Sequence, residues 1–393
     1  MDLSLDAIAE RPRVFPGEEL AARVAAVRAE MARRRLDGLL ISVPENIYYL
    51  TGLDHWGFFA CHILIVPLSG EMILVARAME RTTVANQVDN AIFNGYADHE
   101  DPAGHVRRAL ADLGLIGGRL GIEKNSLFLT PRVAEGIFAA TAGAVWEDTS
   151  GLADGIRLVK SPLEISYIRR AALAADSGTQ AAIAAVRDGA SDYEVAAECH
   201  RAMILAGSEY PGFGPFIRPT GRLGEEHTTW RGDVFRAGDA VFLEVAAAYR
   251  KYQAPMGRLV YVGSAPADVA RSVEMAQAGM RAICDAIRPG VRAGAVYAAW
   301  RAVARAYGLG DYERHHCGYL VGIAFPPSWT GGSMVTSLAP ESALELKAGM
   351  VFHAHSWFTN TRCVDYFLSN TLLLTEDGCE VLTRQTPETL IVR

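Results

Sequence analysis

Apolar residues first recur at helical spacing, with Leu20, Val24, Val27 and Met31 on one stripe behind Pro16-Gly17, and they predict a helix over residues 18–35. Leu39-Leu40-Ile41-Ser42 then reads as a short apolar strand, and Asn46 to Gly52 closes this first segment. Farther on, strand runs near 62–66, 72–75 and 119–122 alternate with helical patterns near 102–113 and 131–140, which predicts an α/β unit with a mixed sheet. Ser161-Pro162-Leu163-Glu164 combines an N-cap serine, a proline at the first helical position and a capping-box glutamate. Such a start belongs to a new domain, so the boundary falls between 151 and 161, with domains over 1–155 and 156–393.

In the second domain that helix runs to about 186, and a further capping box at Ser191-Asp192-Tyr193-Glu194 opens another that ends near 207. A Gly/Pro-rich loop over 211–224 carries Phe213, Phe216 and Ile217, the composition of a loop that lines a pocket. Helices near 267–287 and 293–307 have Ala-rich faces suited to packing on a curved sheet, and strands follow near 317–324, 350–357 and 370–375. Between the two helix pairs lies the strand Ala240-Val241-Phe242-Leu243-Glu244-Val245-Ala246, whose period of two sends Phe242, Glu244, Ala246 and Ala248 to one face. One carboxylate thus sits in a strand otherwise built for burial, so it is either paired structurally or held for function.

Composition narrows the partners. Across 393 residues the formal net charge is −7, which offers no basic field for nucleic acid and favours a small-molecule substrate. No apolar run approaches the roughly 20 residues that span a bilayer, and residues 1–13 lack the apolar core of a signal peptide, so a cytoplasmic location without membrane attachment is expected. The six cysteines are scattered, without a C-x-x-C pair, and read as reduced structural thiols; a nucleophilic Cys317 beside His316 is the lesser reading. No glycine fingerprint follows any strand, so no dinucleotide cofactor is expected. The aromatic loop Asp54-His55-Trp56-Gly57-Phe58-Phe59 reads either as a covered loop or as a lid or dimer contact.

Several segments resemble the pita-bread family of methionine aminopeptidase, aminopeptidase P, prolidase and creatinase. They are Asn46-Ile47-Tyr48-Tyr49-Leu50-Thr51-Gly52, the helix start at Ser161, and the hairpin from 240 to 263. The resemblance implies a creatinase-like N-terminal α/β domain followed by a pita-bread domain with a curved antiparallel sheet. It also implies five metal-ligand positions, which here read Glu244, Pro255, Tyr319, His355 and Ser369 or Asn370. None is the metallopeptidase residue type, so the carboxylate cluster that binds hard divalent cations is dismantled. Local wording matches the metal-free, ectoine hydrolase-like branch: Tyr249-Arg250-Lys251-Tyr252, Pro255, Cys317-Gly318-Tyr319 and Pro326-Pro327-x-Trp329.

The resemblance therefore implies a metal-independent hydrolase, without cofactor, of a non-peptide C–N bond in a small polar solute, such as the cyclic amidine of ectoine opened to an N-acetyl-diaminobutyrate. His227, eleven residues before Gly238, stands where family members keep an active-site histidine, and a neutral imidazole there can pass a proton. His227 and Glu244 are the expected catalytic residues; Tyr319, His353, His355, Trp357, Tyr252 and Trp56 are expected to bind substrate. A homodimer is implied by the family. Three alternatives stay open: a creatinase-like amidinohydrolase, a metal-dependent Xaa-Pro peptidase or lyase relative with unusual ligands, and a non-catalytic binding protein. The His353-x-His355 pair, with His315-His316 upstream, is the feature that supports a different metal site.

Overall fold

The computed structural model describes residues 13–331, 335–359, 361 and 364–393; the N-terminal reading over 1–12 and Cys363 lie outside them. The chain divides into two compact units, with the break between Arg157 and Leu158.

The first unit is ordered α1 (Gly17–Arg34), β1 (Gly38–Ile41), α2 (Pro44–Thr51), β2 (Ile63–Pro67), β3 (Met72–Arg77), α3 (Arg81–Gln87), β4 (Ala91–Tyr96), α4 (Pro102–Asp112), β5 (Arg119–Ile122), α5 (Pro131–Ala140), β6 (Val145–Asp148) and α6 (Leu152–Arg157). Its six strands form one mixed sheet in the order β4-β3-β2-β1-β5-β6. Leu40, Ile63, Ile65, Ile73, Val75 and Leu120 pack from the sheet against Val106, Ala109 and Leu110 of α4 and Ile137 of α5. The segment Asn46–Thr51, read from sequence only as a closing stretch, is the body of the fully buried helix α2, started by Pro44 at its first turn.

The second unit contains α7 (Pro162–Ala185), α8 (Asp192–Leu205), β7 (Phe216–Arg218), β8 (Ala240–Tyr249), β9 (Tyr252–Tyr261), α9 (Val269–Ala286), α10 (Ala293–Ala306), β10 (Gly318–Leu320), β11 (Val351–Phe358), β12 (Tyr366–Thr375), β13 (Gly378–Val381) and β14 (Ile391–Val392). The main path of its sheet is β10-β11-β12-β9-β8-β7, curved and largely antiparallel. Both halves of the capping box at α7 are made, Ser161 accepting from Glu164 N and Glu164 accepting from Ser161 N.

Strand period decides what each face of this sheet does. Val241, Leu243, Val245 and Ala247 of β8, with Met256 and Val260 of β9, join Ala174, Ala175, Val195 and Cys199 in a core under α7 and α8. The other face of β8 carries Phe242 and Glu244. The hairpin β8–β9 turns through Arg250 and Lys251, both with positive φ (51° and 62°), which fixes the pairing of Tyr249 with Tyr252 and of Glu244 with Gly257.

Candidate active site

One row of paired residues crosses the sheet: His355 opposite Ser369, Ser369 opposite Gly257, Gly257 opposite Glu244, and Glu244 opposite Phe216. Three strand steps separate His355 from Glu244, about 14 Å on a flat sheet at ordinary strand spacing. The gap closes because the two intervening residues are small and the two end side chains lean across them. A side chain at Gly257 would collide with the Phe367 ring, its Cβ lying 2.2 Å from Cε1. His353, two residues before His355, falls on the same face and faces Tyr319 on β10 and Thr371 on β12.

These registers assemble a compact polar group. Glu244 Oε1 lies 3.8 Å from His355 Nε2 and 3.9 Å from His353 Nε2, and His355 Nε2 is 2.9 Å from His353 Nδ1. Trp329 Nε1 donates to the Tyr319 hydroxyl at 2.7 Å, and that hydroxyl lies 2.9 Å from His353 Nδ1. Because indole N–H only donates, the tyrosine oxygen accepts from Trp329, and its second lone pair can accept from His353 Nδ1–H. His353 Nε2 is then the unprotonated nitrogen, 2.9 Å from Ser369 Oγ, and its lone pair is the one an ion would take; this tautomer is assigned from the network.

Electrostatics follow from burial. Removal from water, opposed by the Arg218 charge, pushes the Glu244 carboxyl up to about 8, and no hydrogen bond contributes to its state. Burial, reinforced by neighbouring histidines, holds His353 and His355 neutral well below the usual range. The same desolvation raises Tyr319 well above its ordinary value. Cys317 is buried, gives its Sγ–H to Leu338 O at 3.7 Å and is also raised by burial, so it stays a protonated structural thiol.

Glu244, His353 and His355 are the one group among the described residues whose ligand atoms all lie within 4.8 Å of one another. Two neutral imidazoles and one carboxylate form a donor set used by catalytic zinc and by non-haem iron. With metal–ligand bonds of about 2.0–2.2 Å, ligands of one ion sit roughly 3–4 Å apart; both imidazole distances to Glu244, 3.8 and 3.9 Å, fall in this range. A carboxylate without hydrogen-bond donors is also what a cation would complete. The residues fit a single divalent ion. The expectation of a metal-independent pocket with no metal ligands, and with it the assignment to a metal-free branch, is therefore corrected. Carrying ligands across position by position left only Glu244 and His355; it discounted His353, which strand period places beside them.

The remaining expected site residues separate. Trp357, on the same face of β11, stacks its ring near Phe242 and Phe367, with the Arg314 guanidinium 4.2 Å above it. His227 is exposed, adopts a left-handed φ of 54°, and lies near the rings of Phe213 and Phe216, which in turn pack on Trp329. It stands at the outer side of the aromatic layer whose inner side touches Tyr319. Tyr252 points to the opposite sheet face, donating to Glu164 Oε1 at 2.7 Å under α7, so it is not brought to the cluster. Trp56 lies in the first unit, 61 % exposed at the entrance to a short 3-10 turn, and the cluster is built without it. Sequence reasoning passed over Arg218 on β7 and the role of Trp329 in orienting Tyr319. A three-residue strand shows no periodicity, so Arg218 had no signal of its own.

Comparison with known proteins agrees with this architecture. The model of metallopeptidase family M24 matches residues 166–376, and that of the creatinase/prolidase N-terminal domain matches residues 23–159. Ectoine hydrolase of Halomonas elongata is 31% identical over 391 residues, covering 94% of this chain and 96% of that protein. Prolidase from Thermococcus sibiricus superposes with a TM-score of 0.83 at 22% identity, over 95% of this chain and 99% of that one. Dipeptidase PepE from Mycobacterium ulcerans does so with 0.81 at 22% identity, over 97% and 99%. These two likenesses speak for the fold. With both domain models matched in order and a relative aligned nearly end to end, the chain belongs to metallopeptidase family M24 and is a hydrolase of the creatinase, aminopeptidase P and prolidase superfamily.

Proposed function

We propose that this hydrolase opens a C–N bond in a small polar solute of the ectoine type, with one divalent ion held by Glu244, His353 and His355. The observation that carries the reading is the Glu244–His353–His355 group itself, buried, close-set and walled by Trp357, Phe367 and Phe242. Its support on the substrate side is the ectoine hydrolase relative, together with the loss of ligands a two-ion peptidase centre needs: Pro255 stands at an aspartate position and Tyr319 at a histidine position. A bound ion supplies Lewis-acid polarisation of the scissile carbon–nitrogen group.

The protein's own groups divide the rest of the work. The aromatic wall excludes water from the reacting carbon, which strengthens every electrostatic contact inside. Tyr319, held by Trp329, fixes the orientation of the His353 ring. In hydrolysis of a cyclic amidinium, a water oxygen bonds to the amidinium carbon and becomes the amide carbonyl, the ring C–N bond breaks with its electron pair passing to the departing nitrogen, and both water protons end on that nitrogen as an ammonium. We assign the transfer of these protons to His227, which is exposed and near the rings of Phe213 and Phe216.

The test is a substrate panel of ectoine, hydroxyectoine, creatine and Xaa-Pro dipeptides, run with and without a chelator, alongside elemental analysis of the purified protein. One equivalent of divalent metal and chelator-sensitive ring opening of ectoine is the expected result. Full activity in metal-free protein removes the role given to the ion, and a preference for prolyl dipeptides removes the substrate class.

A further inference from the structure

Two buried arginines of the second unit, Arg258 and Arg222, are thoroughly satisfied. Arg258 is fully buried and gives hydrogen bonds to Pro387 O, Gly257 O, Ser369 O, Thr386 O and Asn370 Oδ1. Arg222, buried on the loop after β7, pairs with Asp233 at 2.6 Å and Glu225 at 2.8 Å. Arg218 differs from them. It is 1 % exposed, yet its Nε and Nη1 have no hydrogen-bond partner. Its guanidinium lies 4.3 Å from the centre of the Phe242 ring, a contact that supplies packing but leaves the in-plane N–H groups idle.

Its position says what those N–H groups face. In the β7–β8 pairing Phe216 stands opposite Glu244 and Arg218 opposite Phe242, so Arg218 shares the sheet face of the Glu244 group. It is the diagonal neighbour of Glu244, a relation that corresponds to about 7–8 Å between backbones. Phe242 beneath it stacks on Phe367 and Trp357, the wall of the same pocket. Burial pulls the Arg218 guanidinium below its ordinary value, opposed first by the charge of Glu244. A buried cation with unmade hydrogen bonds costs stability unless a ligand completes it. The planar fork of a guanidinium matches a carboxylate in two parallel bonds.

We propose that Arg218 anchors a carboxylate of the substrate, so that the solute is an amino-acid-like anion or zwitterion whose acid group lies within a few bonds of the reacting carbon. The assignment rests on the reading of the Glu244–His353–His355 pocket as the reaction site. It makes Arg218 a specificity residue: the carboxylate is bound on the β7 side of the pocket, and the C–N group is thereby held toward the three ligands.

Calorimetric titration of the full chain, metal-free and zinc-loaded, with ectoine and with the carboxamide of ectoine tests it. Wild type should prefer the carboxylate by about 100-fold, the worth of a charged hydrogen-bonded pair. Arg218→Met should bind the two alike, with an unchanged metal content. Arg218→Lys, which keeps the charge but not the fork, should retain only a fraction of the preference and serves if the methionine variant does not fold. Where hydrolysis is measurable, KM for ectoine should rise in both variants with kcat much less affected. Equal binding of both compounds by wild type, or a preference that survives in Arg218→Met, overturns the anchor. Hydrolysis without a carboxylate preference removes this assignment alone, a preference without hydrolysis keeps it and removes the reaction, and binding of neither compound removes both.

Discussion

Each unit holds a buried glutamate whose carboxyl burial pushes up, Glu123 in the first and Glu244 in the second, and the two are answered in opposite ways. Glu123, at the end of β5 in the first unit, accepts from Ser42 N at 2.7 Å, Val43 N at 2.8 Å and Asn46 Nδ2 at 2.6 Å. Glu244 has two imidazoles at nearly 4 Å and no hydrogen bond contributing to its state. Desolvation raises both, Glu123 up to about 7 and Glu244 up to about 8. Equal burial and similar shifts therefore do not distinguish a structural acid from a functional one; the partners do. Glu123 ties the β1–α2 turn to β5, whereas the free lone pairs of Glu244 are turned toward a group that the fold itself does not supply.

Exchanging each acid for its amide is the sharpest way to break this comparison. Glu244→Gln should lower kcat/KM by on the order of 10³-fold, the scale for removing a preorganised electrostatic group, and should lose the bound metal, while thermal unfolding shows no loss of stability. Retained metal and activity would place Glu244 with Glu123 as a structural acid. Next in size is His227→Ala. A positioned acid or base contributes about 10²- to 10⁴-fold, and a loss in kcat at unchanged metal content is expected, because His227 has no contact with the three ligands. A drop in metal content instead would mean that it acts through the cluster rather than on the substrate.

Glu123→Gln should spare catalysis and change stability. Its folded pKa of about 7 is raised above the unfolded value near 4.5. The folded state therefore holds the extra proton between these values, and the stabilisation is complete below about 4.5 and lost as pH rises through 7. The full shift is worth at most about 3 kcal/mol. Scanning calorimetry from pH 4.5 to 8 should show this decline in wild type and a flatter profile in the glutamine variant. An equal slope in both would show that another group carries the pH dependence.

The same contrast explains what could be read from the chain. The division into an α/β unit and a second domain was legible because helix caps at Ser161 and Ser191 and alternating strands are local signals, while the pita-bread form of the second domain came from the family resemblance. Glu244 and the pair His353 and His355 were legible by strand period. Their convergence was not, since it depends on Ser369 and Gly257 being small at paired positions on two other strands. The conclusion drawn from the missing family ligands, that no ion is held, failed for that reason: the donor set is rebuilt with His353. Arg218 was hidden by the brevity of β7, and Tyr252 was misjudged because sequence nearness to Glu244 says nothing about face.

Tyr252 also gives the smallest test. It sits eight residues after Glu244, but the Arg250-Lys251 turn pairs it with Tyr249 and sends its ring to the α7 side, where Tyr167 packs against both tyrosines. Its hydroxyl reaches Glu164, the carboxylate that closes the α7 capping box, so this acid belongs with Glu123 as one whose buried oxygens are claimed by the fold. Tyr252→Phe removes one buried hydrogen bond to a carboxylate and should cost about 1–2 kcal/mol in unfolding free energy. KM, kcat and metal content should stay within twofold of wild type, because the sheet lies between this ring and the Glu244 face. A large change in KM at unaltered stability would return Tyr252 to the pocket and undo the division of the hairpin into a structural face and a reactive one.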